Sequence, residues 1–280
     1  MPITGSLPQL AFRITAMRIV PEHKPFLRPS QPSDSNHFIK LTPSNSLAGA
    51  DTSSTAIRMT IFYITTNPSV YNKLMEELTT ALRAGQLTRP VLRDTEARQL
   101  PYLQACLKEA LRVNPPVVGL STKLSPPEGD WVDVDGKQMR VPGGVQIALN
   151  FWGVMRNESV FGPDAELFRP ERWLTDESMT SAEELEQEKK RLDAMNEASG
   201  LVFGSGRFTC LGKSVAVLEL NKIVPELLLR FDFRIAKADK PYLGNCFGFF
   251  MHSKLNYRVT EREGMFKESV LDEKKEKFAV

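Results

Sequence analysis

One cysteine of this chain stands where a thiolate could be offered to a metal. It lies in the run Phe203-Gly204-Ser205-Gly206-Arg207-Phe208-Thr209-Cys210-Leu211-Gly212, which leads straight into an apolar helical pattern beginning Lys213-Ser214-Val215-Ala216-Val217-Leu218. Gly204, Gly206 and Gly212 allow tight turns and let the backbone approach a flat ligand without a side chain in the way. Amides around Cys210 can hydrogen-bond its sulfur, and the start of a helix adds partial positive charge. Both suit a thiolate ligand. Taken alone, the pattern also suits a buried structural cysteine ahead of a helix.

Two other groupings carry chemical potential. Ala48-Gly49-Ala50-Asp51-Thr52-Ser53 sets an acid beside an alcohol, a pair able to relay protons from solvent. In that reading Gly49 keeps one helix face bare, and the Thr52 hydroxyl bonds a carbonyl of the preceding turn, opening a local kink. By cap propensity the same residues read equally well as a plain helix start. Glu109 and Arg112, three apart, share one face of a helix. Read in isolation, such a pair is an exposed one worth under about 1 kcal/mol.

The elements that must position these residues are mostly helices. The pattern turns helical at Ser46, stays apolar over 57–64, and breaks at Asn67-Pro68, where a proline opens a second helix that ends at Gly85. A third helix over 102–112 stops at Asn114-Pro115-Pro116. Short strands follow: a hairpin of 132–134 and 137–141 around Asp135-Gly136, then a strand over 145–149. A polar helix starts at Ser181 with Glu184 completing a capping box, and 231–235 and 255–259 read as strands. The fold class is mainly α with small antiparallel β-sheets. Residues 1–45 read as irregular or disordered, 46–260 as the folded core and 261–280 as a charged tail.

Composition excludes several classes. A chain of 280 residues with 41% hydrophobic content is globular and can build a substantial core. Three widely spaced cysteines, Cys106, Cys210 and Cys246, give no disulfide framework and fit a reducing, intracellular compartment. A formal charge of +2 with mixed signs gives no footprint for nucleic acid, and Lys189-Lys190-Arg191, set among glutamates, reads as a solvated helix face. No apolar run long enough to span a bilayer is present, so no membrane anchor is expected in this chain. His252 reads as a surface or packing histidine.

The cysteine run fits Phe-x-x-Gly-x-x-x-Cys-x-Gly, and with it the chain resembles the cytochrome P-450 family, the haem-thiolate monooxygenases. The resemblance implies the C-terminal half of that fold and haem b (iron-protoporphyrin IX). Cys210 would be the axial ligand of the haem iron, in a pocket built from Phe203, Gly204, Gly206, Arg207, Gly212 and Gly49. A thiolate in that position favours O–O cleavage. Asp51 and Thr52 match the family's acid and alcohol pair, the catalytic residues. Glu109 and Arg112, with Arg172 of Pro170-Glu171-Arg172-Trp173, match its structural network, expected to hold the helix behind the haem against the loop that carries Cys210. Residues 117–122 and 247–251 would face the substrate, or else be plain core strands. The implied activity is insertion of one oxygen atom from O2 into a small organic substrate, with electrons from NADPH through a reductase partner.

The closest likeness is to fungal, pisatin-demethylase-like members, which points to secondary metabolism or detoxification. Many family members carry arginine two residues before the cysteine, where it meets a haem propionate; here that position is Phe208 and the arginine is Arg207. The resemblance runs from Ala48 to Val259, half of a usual member, and Pro43 and Ser44 stand where the first turns of the long distal helix are expected. On this reading the chain by itself is a poor catalyst, with an uncovered distal helix over 56–64. Alternatives are a catalytically inactive remnant or a haem-binding protein without a substrate pocket. The family usually sits at the endoplasmic-reticulum membrane, through an anchor not found here.

Overall fold

The structure, a computed structural model, describes residues 36–262 except 120, 121, 135, 177, 178, 247 and 249. Four long helices form its centre: α1 (Asn36–Thr66), α2 (Pro68–Arg83), α4 (Pro101–Val113) and, near the C-terminus, α8 (Lys213–Arg230), with the short α3 (Asp94–Ala97) between α2 and α4. They pack through Ile64, Leu74, Leu78, Leu103, Val224 and Leu228, all fully buried. Each such side chain contributes about 1.5–3 kcal/mol relative to exposure.

Local chemistry sets the helix ends. Pro68 opens α2 at a position whose N–H would be unpaired anyway, and α2 buries Val70, Leu74, Met75, Leu78 and Ala81, one helical face. It closes in a Schellman motif, Gln86 N–H to Ala81 O at 3.0 Å and Gly85 N–H to Leu82 O at 3.1 Å. The orphan donors at the start of α4 are met by another helix: the Glu77 carboxylate accepts from Tyr102 N at 2.8 Å and Leu103 N at 2.9 Å. The capping box of Ser181 and Glu184 opens α7 (Ala182–Gly200).

Between α4 and α7 lie β1 (Lys123–Leu124), β2 (Asp130–Val134), β3 (Lys137–Val141), β4 (Gln146–Ile147) and two single-turn helices, α5 (Phe151–Val154) and α6 (Glu158–Phe161). After α8 come β5 (Phe231–Ile235), β6 (Leu243–Cys246), β7 (Phe250–Ser253) and β8 (Tyr257–Glu261). The strands make four antiparallel pairs, β1 with β4, β2 with β3, β5 with β8 and β6 with β7. Among the described residues no helix is long and apolar enough to cross a membrane.

Four expectations are corrected. Residues 36–45, expected to be irregular, belong to α1, which runs unbroken through Pro43. A proline removes one donor, and a helix of 31 residues carries that loss among many intact bonds. The supposed tail begins later than 261: Glu261 closes β8, and Arg262 reaches Asp232 at 2.5 Å and donates to the Tyr71 hydroxyl. The strand over 145–149 is reduced to two residues, since Asn150 caps α5 and draws the chain into a helix. The stretch 56–64 is not uncovered, because Ala56, Met59, Ile61 and Ile64 are buried in the central cluster and its neighbours. Residues 1–35 and 263–280 lie outside the described residues.

Candidate functional site

The cysteine loop is held by its own backbone. Cys210 N–H donates to Phe203 O at 2.6 Å, and Gly204 sits between them at φ +74°. A Cβ on Gly204 would stand 2.5 Å from Phe208 O, so glycine is required both by its dihedral and by the closeness of the backbone across the turn. Gly204→Ala is therefore expected to cost about 1–2 kcal/mol from the left-handed conformation alone, with the clash in addition. Gly200→Ala, in a helix with nothing within 4 Å of the added Cβ, should instead be neutral or stabilising by up to about 1 kcal/mol. Urea midpoints of the two variants test this, and equal losses would show that the turn carries no special demand.

Cys210 itself is exposed. So is Leu211, at 101% of its reference area, and Val215 and Leu218 at 59% and 45% continue one helical face from it along α8. A Cβ on Gly212 would lie 3.8 Å from the Cys210 sulfur, in ordinary contact rather than clash. The thiol thus stands at the edge of an open apolar stripe, flanked by half-buried Phe203, and this donor set fits a flat, apolar, metal-bearing cofactor such as haem. Cys106 contrasts with it: fully buried in α4, its thiol is pushed up well above the ordinary range by desolvation. Cys246 is exposed at the end of β6, beside the hairpin turn of Gly248, and no helix follows that turn as α8 follows Cys210.

Arg207 stands one residue before Phe208, which occupies the position of the arginine usual before the cysteine. Its guanidinium lies over the Phe208 ring at 4.8 Å, and Lys123 from β1 lies over the same ring at 3.6 Å. Phe208, at the usual arginine position, therefore gathers two cations by its π face. Lys123 was missed from sequence; the short paired strand that brings it there offers too few residues to show a period. Phe208 and Lys123 also line a cleft of about 1000 Å³, with Ser205, Leu201, Asn150 and Arg156. Cys210, Gly49, Asp51 and Thr52 are not on its walls.

On α1 the Thr52 hydroxyl donates to Ala48 O at 2.9 Å, with Gly49 O at 3.4 Å. Asp51 is exposed, and a Cβ on Gly49 would meet nothing within 4 Å. Burial begins at Thr55, one turn on. α1 and α8 pack against each other through their later turns, so the segments bearing Thr52 and Cys210 both leave the core uncovered.

Glu109, Arg112 and Arg172 come together and are 0%, 0% and 2% exposed. Glu109 accepts from Arg112 Nε and Nη2 at 2.8 Å, and from Arg172 Nε, Trp173 Nε1 and the Arg169 amide at 2.9 Å. Arg112 Nη1 donates to Met155 O and Ala165 O at 2.6 Å and its Nη2 to Leu167 O at 2.9 Å. Arg172 donates to Phe161 O, to Asp164 Oδ1 at 3.1 Å and to Asp164 O at 3.0 Å. Two carboxylates, Glu109 shared by both arginines and Asp164 on Arg172 alone, thus join many carbonyls in offsetting the desolvation of two guanidinium groups. The expected link to the cysteine loop is indirect. The partners lie between 155 and 173, and a second apolar cluster of Met155, Phe161, Trp173, Met195 and Ala198 carries the contact on to Leu201 and Val202. Trp173 was visible in sequence but its donor role was not.

The segments expected to face the substrate meet directly. Val118 N and Gly119 N donate to Gly248 O at 3.0 and 2.7 Å, and Phe250 N donates to Pro116 O at 3.0 Å. Leu120, Ser121, Phe247 and Phe249 lie outside the described residues. His252 is a packing histidine, 7% exposed, edge-on to Tyr242 and stacked on Phe250, with its pKa lowered by burial.

The family model for cytochrome P450 matches residues 30–259. The chain belongs to the cytochrome P450 family. The match starts ahead of Ala48, where the likeness was expected to begin, and takes in all of α1. Curated relatives include cytochrome P450 monooxygenase ABA1 of Pyricularia oryzae, 40% identical over 77% of this chain. Others are aba1 of Botryotinia fuckeliana, 36% identical over 78%, and ACRTS1 of Alternaria alternata, 37% identical over 77%. The matched region spans 39%, 40% and 52% of those relatives respectively. Membership of this family implies a haem cofactor.

Proposed function

We propose that this chain carries the haem-thiolate portion of a fungal-type P450 monooxygenase of secondary metabolism, with Cys210 as the axial ligand of haem b. The observation that carries the reading is the exposed thiol of Cys210, on a backbone-locked glycine turn at the head of an apolar α8 face. When bound, haem supplies the iron that activates O2, placing one oxygen atom in the substrate and releasing the other as water, with two electrons and two protons consumed. Gly212 leaves room beside the sulfur. Phe203 and the Leu211 and Val215 stripe give an apolar bed, and Lys123 and Arg207, gathered on Phe208, bring positive charge to the loop for the cofactor's carboxylates.

The chain's own part in proton delivery falls to Asp51 and Thr52. Asp51 is open to solvent and takes up protons there, while Thr52 Oγ1, whose hydrogen is held by Ala48 O, keeps its lone pairs for an incoming donor. Residues 117–122 and 247–251 contribute substrate walls, the substrate being a small organic molecule and the electrons coming from NADPH through a reductase.

Thr52→Ala tests this assignment. The variant should take up haem as the parent does, yet consume several-fold more reducing equivalents per product formed, because the relay is broken while ligation is untouched. The measurement is NADPH oxidised against product and hydrogen peroxide released, with reductase supplied. Unchanged coupling would show Asp51 and Thr52 to be ordinary helix residues. Haem uptake with no spectral response to any substrate would instead mark a haem-binding chain without a substrate pocket.

A further inference from the structure

Two chain segments meet at a point where neither carries a side chain. Gly119 follows the buried Pro115-Pro116 turn, and Gly248 stands at the tip of the β6–β7 hairpin with φ +87°. A Cβ on Gly119 would lie 2.9 Å from Gly248 Cα and 3.0 Å from its oxygen, and one on Gly248 would lie 3.3 Å from Gly119 Cα. Around this contact Gly248 O accepts from both Val118 N and Gly119 N, and Pro116 O accepts from Phe250 N. The hairpin is also anchored behind its tip. Phe250 packs on Trp152 at 5.5 Å and on His252 at 5.5 Å, His252 on Tyr242 at 5.1 Å, and Tyr242 on Phe62 of α1, the helix that carries Thr52, at 5.2 Å.

We propose that Gly119 and Gly248 form a latch that fixes the two substrate walls against each other, so that together they set specificity as a single unit. This rests on reading both segments as substrate walls. Backbone against backbone permits an approach that any side chain would hold apart, and the carbonyl of Gly248 can serve two amides only at that distance. Gly119 and Gly248 are positioning residues: they touch each other, and through each other they place Val118 and Phe250. Displacement of a positioned group by about 1 Å can cost about a hundredfold in rate, so a smaller shift at this contact suffices to alter which ligands fit.

The test uses the haem-loaded full chain and two iron ligands, imidazole and 4-phenylimidazole, which differ by one aryl ring. Gly119→Ala is expected to change the ratio of their dissociation constants by about tenfold, with imidazole itself within twofold of the parent. Gly248→Ala should change it likewise. Gly244→Ala, in the same hairpin but with only ordinary contacts awaiting its Cβ, should leave the ratio unchanged. Amide hydrogen exchange on the chain without haem supplies an independent reading: Gly119→Ala should lower the protection of Val118, position 119 and Phe250 together. Unchanged protection overturns the latch. Lost protection with an unchanged ratio keeps the latch and overturns the substrate-wall reading on which the specificity claim rests. A parent that binds neither haem nor the ligands overturns the proposed function, while the exchange result still decides the latch.

Discussion

Cys210→Ala is expected to abolish the strongly red-shifted Soret band of the ferrous carbonyl complex, whereas Cys106→Ala and Cys246→Ala should retain it. The three cysteines differ in physical standing. Cys106 is sealed in α4 with its thiol held protonated by burial, and Cys246 is exposed at the end of a strand whose turn leads into another strand rather than into a helix. Only Cys210 combines exposure with a locked glycine turn and an apolar bed. A thiolate donates electron density to the iron in a way no neutral ligand does, so its loss shifts the band rather than merely weakening it. The measurement is one reduced spectrum under carbon monoxide for each variant. Persistence of the band in Cys210→Ala, with dependence on another cysteine, would overturn the assignment.

Glu109→Gln should destabilise the protein by about 3–5 kcal/mol, a large share of the about 5–15 kcal/mol that holds a domain folded. The change keeps shape and removes the charge that Arg112 and Arg172 share, leaving the buried Arg112 guanidinium facing a neutral amide and Arg172 with the Asp164 carboxylate. Glu186→Gln supplies the comparison, since its pair with Lys190 is 3.5 Å long and more than half exposed on both sides. That variant should lose under about 1 kcal/mol. Chemical denaturation of the three proteins decides the matter. A midpoint for Glu109→Gln indistinguishable from that of Glu186→Gln would show the network to be dispensable. Because the network binds α4 to the 155–173 segment, and that segment reaches Leu201 and Val202 ahead of the cysteine loop through packed side chains, partial unfolding there should also weaken haem retention.

What could be read from sequence depended on how local the cause was. The Pro68 opening of α2, the Ser181 and Glu184 box, the β2–β3 hairpin at Gly136 and the Cys210 turn all follow from residues within a few positions of one another. Pro43 misled because a local rule was applied to a long helix that tolerates one missing bond. Glu109 and Arg112 show the opposite limit. Their spacing alone describes a weak surface pair, and only the convergence of Arg172, Trp173 and the carbonyls between 155 and 167 makes it a buried network.

The sequence by itself determined the family, the glycine turn that presents Cys210, and the order of the helices, because motif, cap and period are properties of neighbouring residues. Tertiary structure alone decided which cations gather on Phe208, how a glutamate from α2 caps α4, and that Gly119 meets Gly248. Those contacts join residues far apart in the chain, and no short-range pattern encodes a distance between segments that only the closed core brings together.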